Sequence, residues 1–104
     1  EPFNAMDTYV NEVDMGFWKV IMEGPSGTPY AKGTFVLSVS IGQNFPQTPP
    51  AVRFLTPILH PNITKHGRVC HQVFTRGWRS SYHVHTVLQY MHDLLRNPEV
   101  STSL

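Results

Sequence analysis

Residues 33–41, "GTFVLSVSI", alternate well. Phe35, Leu37, Val39 and Ile41 fall on one side of an extended chain, and Thr34, Val36, Ser38 and Ser40 on the other. A stretch of this period buries its apolar side only as a strand of a sheet with something packed on one face. Its neighbours agree. "FWKVIME" (17–23) is rich in bulky and β-branched residues and reads as a strand, as does "AVRFL" (51–55). "GPSGTPY" (24–30) and "GQNFPQTPP" (42–50) supply the Gly and Pro that break the chain between them. Three consecutive strands with short connections are most economically an antiparallel meander. Residues 1–14 have scattered apolar residues without a clear period and read as an extended lead-in.

After the third strand the rules change. "TPILHPNI" (56–63) carries two prolines and cannot be a central strand. From Trp78 on, Val84, Val87, Leu88, Met91, Leu94 and Leu95 recur at three- and four-residue spacing, the pattern of a helix with one apolar face. Asn97-Pro98 ends it, because a residue before proline avoids helical backbone angles. Strands followed by a helix predict an α+β fold: an antiparallel meander of three to four strands packed against an amphipathic helix.

The bulk properties bound the function. With 104 residues the chain is one domain, able to hide roughly two-thirds of its unfolded surface. A net charge of +1 without a Lys/Arg cluster argues against nucleic acid as partner. A membrane partner is not expected either, since no apolar run approaches the roughly 20 residues a span needs. The single cysteine cannot close an internal disulfide, and the N-terminus lacks a signal-peptide pattern, so the expected setting is the cytoplasm or nucleus. The chain begins at Glu1 rather than Met and reads as a processed or excised piece.

That cysteine is the chemical question. Cys70 lies eight positions past Asn62, in "HPNITKHGRVCHQVF" (60–74). By itself it is open to three readings: a nucleophile, a metal ligand, or a small buried apolar residue. Zinc would draw on His66, Cys70, His71, His83 and His85, but "HGRVCH" has no second cysteine and His83-x-His85 is a common surface spacing. Asn62 beside Pro61 could equally be a turn residue.

In order, "GPSGTPYAKGTF" (24–35), "FPQTPP" (45–50), "HPNI" (60–63), "GRVC" (67–70), Trp78 and "LLRNP" (94–98) resemble the ubiquitin-conjugating enzyme family over residues 17–98. Each piece is common; the ordered set is specific. The resemblance implies that Cys70 accepts ubiquitin, or a ubiquitin-like modifier, as a thioester from the activating enzyme. It then passes the modifier to a lysine or to a ligase cysteine. Asn62 then matches the asparagine that either supports the active loop or donates to the oxyanion, a donation worth about 3 kcal/mol in other enzymes. His60 is implied to be structural, and Trp78 to support the cysteine's neighbourhood by packing. No metal or organic cofactor is implied, because ATP is used by the activating enzyme. The Pro49–Pro50 step is a candidate cis peptide.

Several features depart from the family pattern. The family's first helix and its last helices have no counterpart in 1–104. An acidic residue usually borders the cysteine in the loop after the helix; Thr102 stands near that place, and Glu99, three residues earlier, could substitute only if the loop shifts. Thr can donate a hydrogen bond but is no base near neutral pH. His71 follows the cysteine where relatives usually have an apolar residue, and a protonated imidazole there could favour the thiolate. The positions usually docked by RING-type ligases read Gln47, Ser80 and Ser81, so a ligase partner is expected to be atypical or fused in the same polypeptide. These departures also leave room for a non-catalytic module that binds ubiquitin or a partner protein.

Overall fold

The computed structural model describes residues 5–99. Strands β1 (Met6–Val10), β2 (Phe17–Glu23), β3 (Thr34–Ser40) and β4 (Ala51–Phe54) form one antiparallel sheet in sequence order. A 3₁₀ turn at Gln72–Phe74 precedes α1 (Val84–Arg96), the one α-helix among the described residues. The α+β meander expected from the sequence is the observed fold, and it has four strands.

The fourth strand is β1, within the stretch read as an extended lead-in. It pairs with β2 from Met6↔Met22 to Val10↔Trp18. As an edge strand it hides little of itself, so its sequence carries no alternation. The other strands obey their pattern: Val20, Met22, Leu37, Val39 and Phe54 face inward, each no more than 2% exposed. They meet Val87, Leu88, Met91 and Leu95 of α1, which are equally buried. Burial of side chains this size contributes about 1.5–3 kcal/mol each.

The helix ends are satisfied in particular ways. At its start the Thr86 hydroxyl accepts the His83 N–H at 3.2 Å. At its end Asn97 donates to the Asp93 carbonyl at 2.8 Å. The next carbonyl, that of Leu94, would look to residue 98, which is a proline without an N–H. It is met instead by the His60 imidazole at 2.7 Å.

One corner differs from the sequence expectation. The cis peptide lies at Phe45–Pro46, not at Pro49–Pro50. The isomers of an X–Pro bond differ by only about 0.5–1 kcal/mol, so the surroundings choose between them and local sequence does not. Here Trp78 holds the corner: its indole N–H donates to the Pro46 carbonyl at 2.9 Å, and its ring packs against Phe45 and edge-on against Tyr82. Trp78 therefore braces the proline-rich corner. No helix among the described residues is long and apolar enough to cross a membrane.

Candidate active site around Cys70

The eight-residue interval from Asn62 to Cys70 is a tight hairpin. Ile63 bridges Val69, Thr64 N–H donates to the Arg68 carbonyl at 2.9 Å, and Gly67 N–H closes back on the Thr64 carbonyl at 2.9 Å. The Thr64 hydroxyl accepts from the backbone of His66 and Arg68 at 3.3 and 3.1 Å. Gly67 has φ of 85°, and a Cβ there would stand 1.9 Å from the Phe54 carbonyl oxygen. Only glycine lets the turn press against β4, where Phe54 N–H donates to Gly67 O at 2.9 Å.

The hairpin returns the chain beside its own start: the Cys70 N–H donates to the Asn62 carbonyl at 2.8 Å. Cys70 is half-buried and lines an open depression of about 280 Å³ with Thr64, Arg68 and Val69. It is not sealed in the core.

Asn62 is fully buried, and its side chain is a strap. Its amide N–H donates to the Glu99 carbonyl at 2.7 Å and its oxygen accepts the Glu99 N–H at 2.9 Å. The side-chain amide is thus engaged by the Glu99 backbone on both its nitrogen and its oxygen. The segment after α1 is tied directly to the hairpin carrying Cys70.

His60 secures the strap from beneath. It is 5% exposed; its Nδ1 accepts the Asn62 N–H at 3.0 Å while Nε2 donates to Leu94. These partners select the neutral imidazole with the proton on Nε2. Burial pushes its pKa below the ordinary 6.5, against an opposite pull from the Leu94 carbonyl. The Tyr30 ring lies over it, with centroids 5.9 Å apart.

His71 is placed differently from the sequence expectation. Both its ring nitrogens are taken up by groups other than the sulfur. Nδ1 accepts the Val73 N–H at 2.9 Å, capping the 3₁₀ turn, and Nε2 lies 3.1 Å from the Glu99 carboxylate. Burial holds its pKa below 6.5 although Glu99 pulls the other way. A protonated imidazole aimed at the thiolate is not the arrangement here, because consecutive residues in an extended chain face opposite ways. Glu99, weighed as a stand-in acid, has its carboxylate on His71 and 3.4 Å from the Gln72 N–H. Thr102 lies outside the described residues.

The five zinc candidates are not gathered at one point. His71 is engaged as above, His85 stands edge-on to Trp18, and no group of three or more His, Cys, Asp or Glu comes together among the described residues. Gln47, Ser80 and Ser81 are all exposed around the corner braced by Trp78.

Comparison with known proteins decides the family. A family model described as "Ubiquitin-conjugating enzyme" matches residues 1–104. The chain belongs to the ubiquitin-conjugating enzyme family. Among similar proteins, the "Probable bifunctional E2/E3 enzyme R795" of Acanthamoeba polyphaga mimivirus is 39% identical over 99 residues, 95% of this chain and 8% of that protein. "Ubiquitin-conjugating enzyme E2 S" of Homo sapiens is 36% identical over all 104 residues, 47% of its own length. The Drosophila erecta protein of the same name is 33% identical over 103 residues, 49% of its length. The chain thus spans about half the length of the E2 S relatives and a small part of the viral one.

Sequence reasoning named Cys70, Asn62, His60, His71, Glu99, Trp78 and Thr102; of those within the described residues, all but Trp78 come together around the hairpin and its strap. It missed Tyr30, whose hydroxyl donates to the Leu59 carbonyl while its ring covers His60. No local signal announces a contact between residues 29 positions apart.

Proposed function

We propose that this chain is an acyl carrier of the ubiquitin-conjugating type, with Cys70 as the carrying atom's residue. The thiolate attacks the carbonyl of the thioester that joins the modifier's C-terminus to the activating enzyme. The new carbon–sulfur bond forms as the activating enzyme's thiolate leaves. A lysine amine or a ligase cysteine then attacks the same carbonyl, and Cys70 departs as thiolate. The modifier is ubiquitin or a ubiquitin-like protein. No metal or organic cofactor takes part in this scheme, and ATP is consumed upstream by the activating enzyme.

The observation that carries this reading is the placement of Cys70 in an open groove, locked by its N–H to the backbone of the buried, strapped Asn62. A structural cysteine has no need of an open groove. Asn62 serves here as the residue that fixes the loop. For its amide to meet an oxyanion, the Glu99 strap must first move aside. The polar, exposed Gln47, Ser80 and Ser81 favour an atypical ligase partner or one joined in the same polypeptide. The name of the mimivirus relative joins conjugating and ligase activities in one protein.

One experiment tests the reading. The chain is incubated with activating enzyme, ATP and ubiquitin, and run on a non-reducing gel. A shifted band that is lost on reduction, and absent in Cys70→Ala, is the expected result. Cys70→Ser is expected to give a band that survives reduction, because an oxygen ester replaces the thioester. The second reading is a non-catalytic module that binds ubiquitin or a partner. It is favoured by the Glu99 carboxylate being turned to His71, and no shift with ubiquitin or other modifiers, alongside direct binding, decides for it.

A further inference from the structure

On the sheet face opposite α1, the strand register lines up Tyr9, Lys19, Ser38, Arg53 and Arg68 as successive cross-strand partners. Three of the five are cations, and Lys19, Arg53 and Arg68 are all exposed. Adjacent strands lie about 4.8 Å apart, so the cations spread over roughly 14 Å in a line one residue wide. Arg53 and Arg68 are direct partners, an arrangement in which like charges destabilise. Among the described residues no carboxylate lies within ion-pair distance of either guanidinium. The acids of the same face, Asp7 and Glu23, pair with Ile21 and Thr34 in other rows.

The two arginines border a cleft of about 620 Å³ whose walls include Ser38, Ser40, Val69 and Phe74. Arg68 and Val69 also line the depression of Cys70, so the cleft and the candidate active site are neighbours.

We propose that this cleft docks an extended acidic segment of a partner protein, with carboxylates on Arg53 and Arg68. A guanidinium presents a planar pair of N–H groups that matches a carboxylate in a two-bond contact, and two facing guanidiniums lose their mutual repulsion when carboxylates sit between them. The row is too narrow for a nucleic-acid duplex, and a net charge of +1 supplies no broad attractive field for a polyanion. The mixed lining of serines and apolar side chains suits a peptide whose acidic residues alternate with neutral ones. That the bound protein is the one receiving the acyl group rests on the reading of Cys70 given above; the docking itself does not.

The test is direct binding to the wild-type chain, independent of any thioester. The probe is a dye-labelled peptide of alternating Glu and Thr, followed by fluorescence anisotropy, with a Lys–Thr peptide and oligothymidylate as comparisons. Saturable binding of the Glu–Thr peptide is expected, weakening as salt rises and falling at least about tenfold in the Arg53→Ser/Arg68→Ser double variant. Reversal in Arg53→Glu/Arg68→Glu should transfer preference to the Lys–Thr peptide. Amide chemical shifts of the wild type give a readout free of folding effects, expected to move at Ser38, Arg53 and Arg68. Absence of saturable binding, shifts confined to other residues, or equal binding of oligothymidylate overturns the proposal. Failure of the thioester test with peptide binding intact removes the carrier reading and leaves the docking site standing.

Discussion

Asn62 and Glu99 are joined by a reciprocal pair of hydrogen bonds, 2.7 and 2.9 Å, across 37 residues of chain. The side chain of one reads the backbone of the other, so the loop that carries Cys70 and the segment that leaves α1 hold a fixed relation. In Asn62→Ala both of these bonds to the Glu99 backbone are lost. We expect a loss of about 1–3 kcal/mol in urea unfolding, with faster hydrogen exchange at the Glu99 amide. Asn62→Asp should restore the bond from the Glu99 N–H but set a carboxylate against the Glu99 carbonyl. An unaltered Glu99 exchange rate in the alanine variant would show that the strap holds nothing.

Acid should weaken the fold through histidines that are buried, His60 and His71, or half-buried, His92 on α1. His60, His71 and His92 are each pushed below the ordinary 6.5 by burial. In the unfolded chain they take up protons near that ordinary value, while folded they resist. The unfolded state therefore binds more protons as pH falls through 6.5, and stability drops with it. The contribution is complete above the ordinary value. It declines as the pH falls and levels off once the folded histidines protonate at their own lower values. Urea unfolding compared at about pH 7.5 and 5.5 checks this. His71→Asn retains an acceptor for the Val73 N–H but cannot titrate, so it should shrink the fall without abolishing it.

How far these contacts could be read in advance depends on their range. The alternation of 34–41 and the three-four spacing of 84–95 are local, and β3 and α1 appear where those patterns lie. Pairing of β1 was not legible, because an edge strand with most of its residues exposed imposes no pattern on its sequence. The site was legible only in part. Residues 60, 62 and 70 stood out as a group, but His71 meets a carboxylate 28 positions away, and the Pro46 carbonyl an indole from 32 away. Local chemistry proposes such groups, and tertiary contacts choose their partners.

Two glycines with positive φ should respond very differently to alanine. Gly67 has φ of 85° and would place its Cβ 1.9 Å from the Phe54 oxygen, whereas Gly27, with φ of 78°, has nothing within 4 Å. Gly27→Ala should cost only the backbone preference, about 1–2 kcal/mol. Gly67→Ala adds a collision with main chain that cannot yield cheaply, and at least about 3 kcal/mol is expected. Thermal unfolding of both variants makes the comparison. The hairpin of Cys70 depends on the Gly67 turn, so that variant should also move the Cys70 amide resonance.

Two ring nitrogens that hold backbone carbonyls offer the sharpest contrast between buried and exposed bonds. The Trp78 indole serves Pro46, an exposed residue whose carbonyl can turn to water when the donor goes. Trp78→Phe should therefore cost about 1 kcal/mol for the bond, beyond any change in packing. His60 serves two groups inside the protein, the Leu94 carbonyl and the Asn62 N–H. The first has no replacement, since residue 98 is proline, and the second belongs to a residue with no exposed surface. His60→Leu leaves both unpaired, at about 1–3 kcal/mol each, and should lower stability well beyond Trp78→Phe. His60→Gln, which retains a donor and an acceptor, should recover part of that difference. Urea midpoints of the three variants decide the matter: a His60→Leu loss no larger than that of Trp78→Phe would mean the Leu94 carbonyl and the Asn62 N–H find other partners.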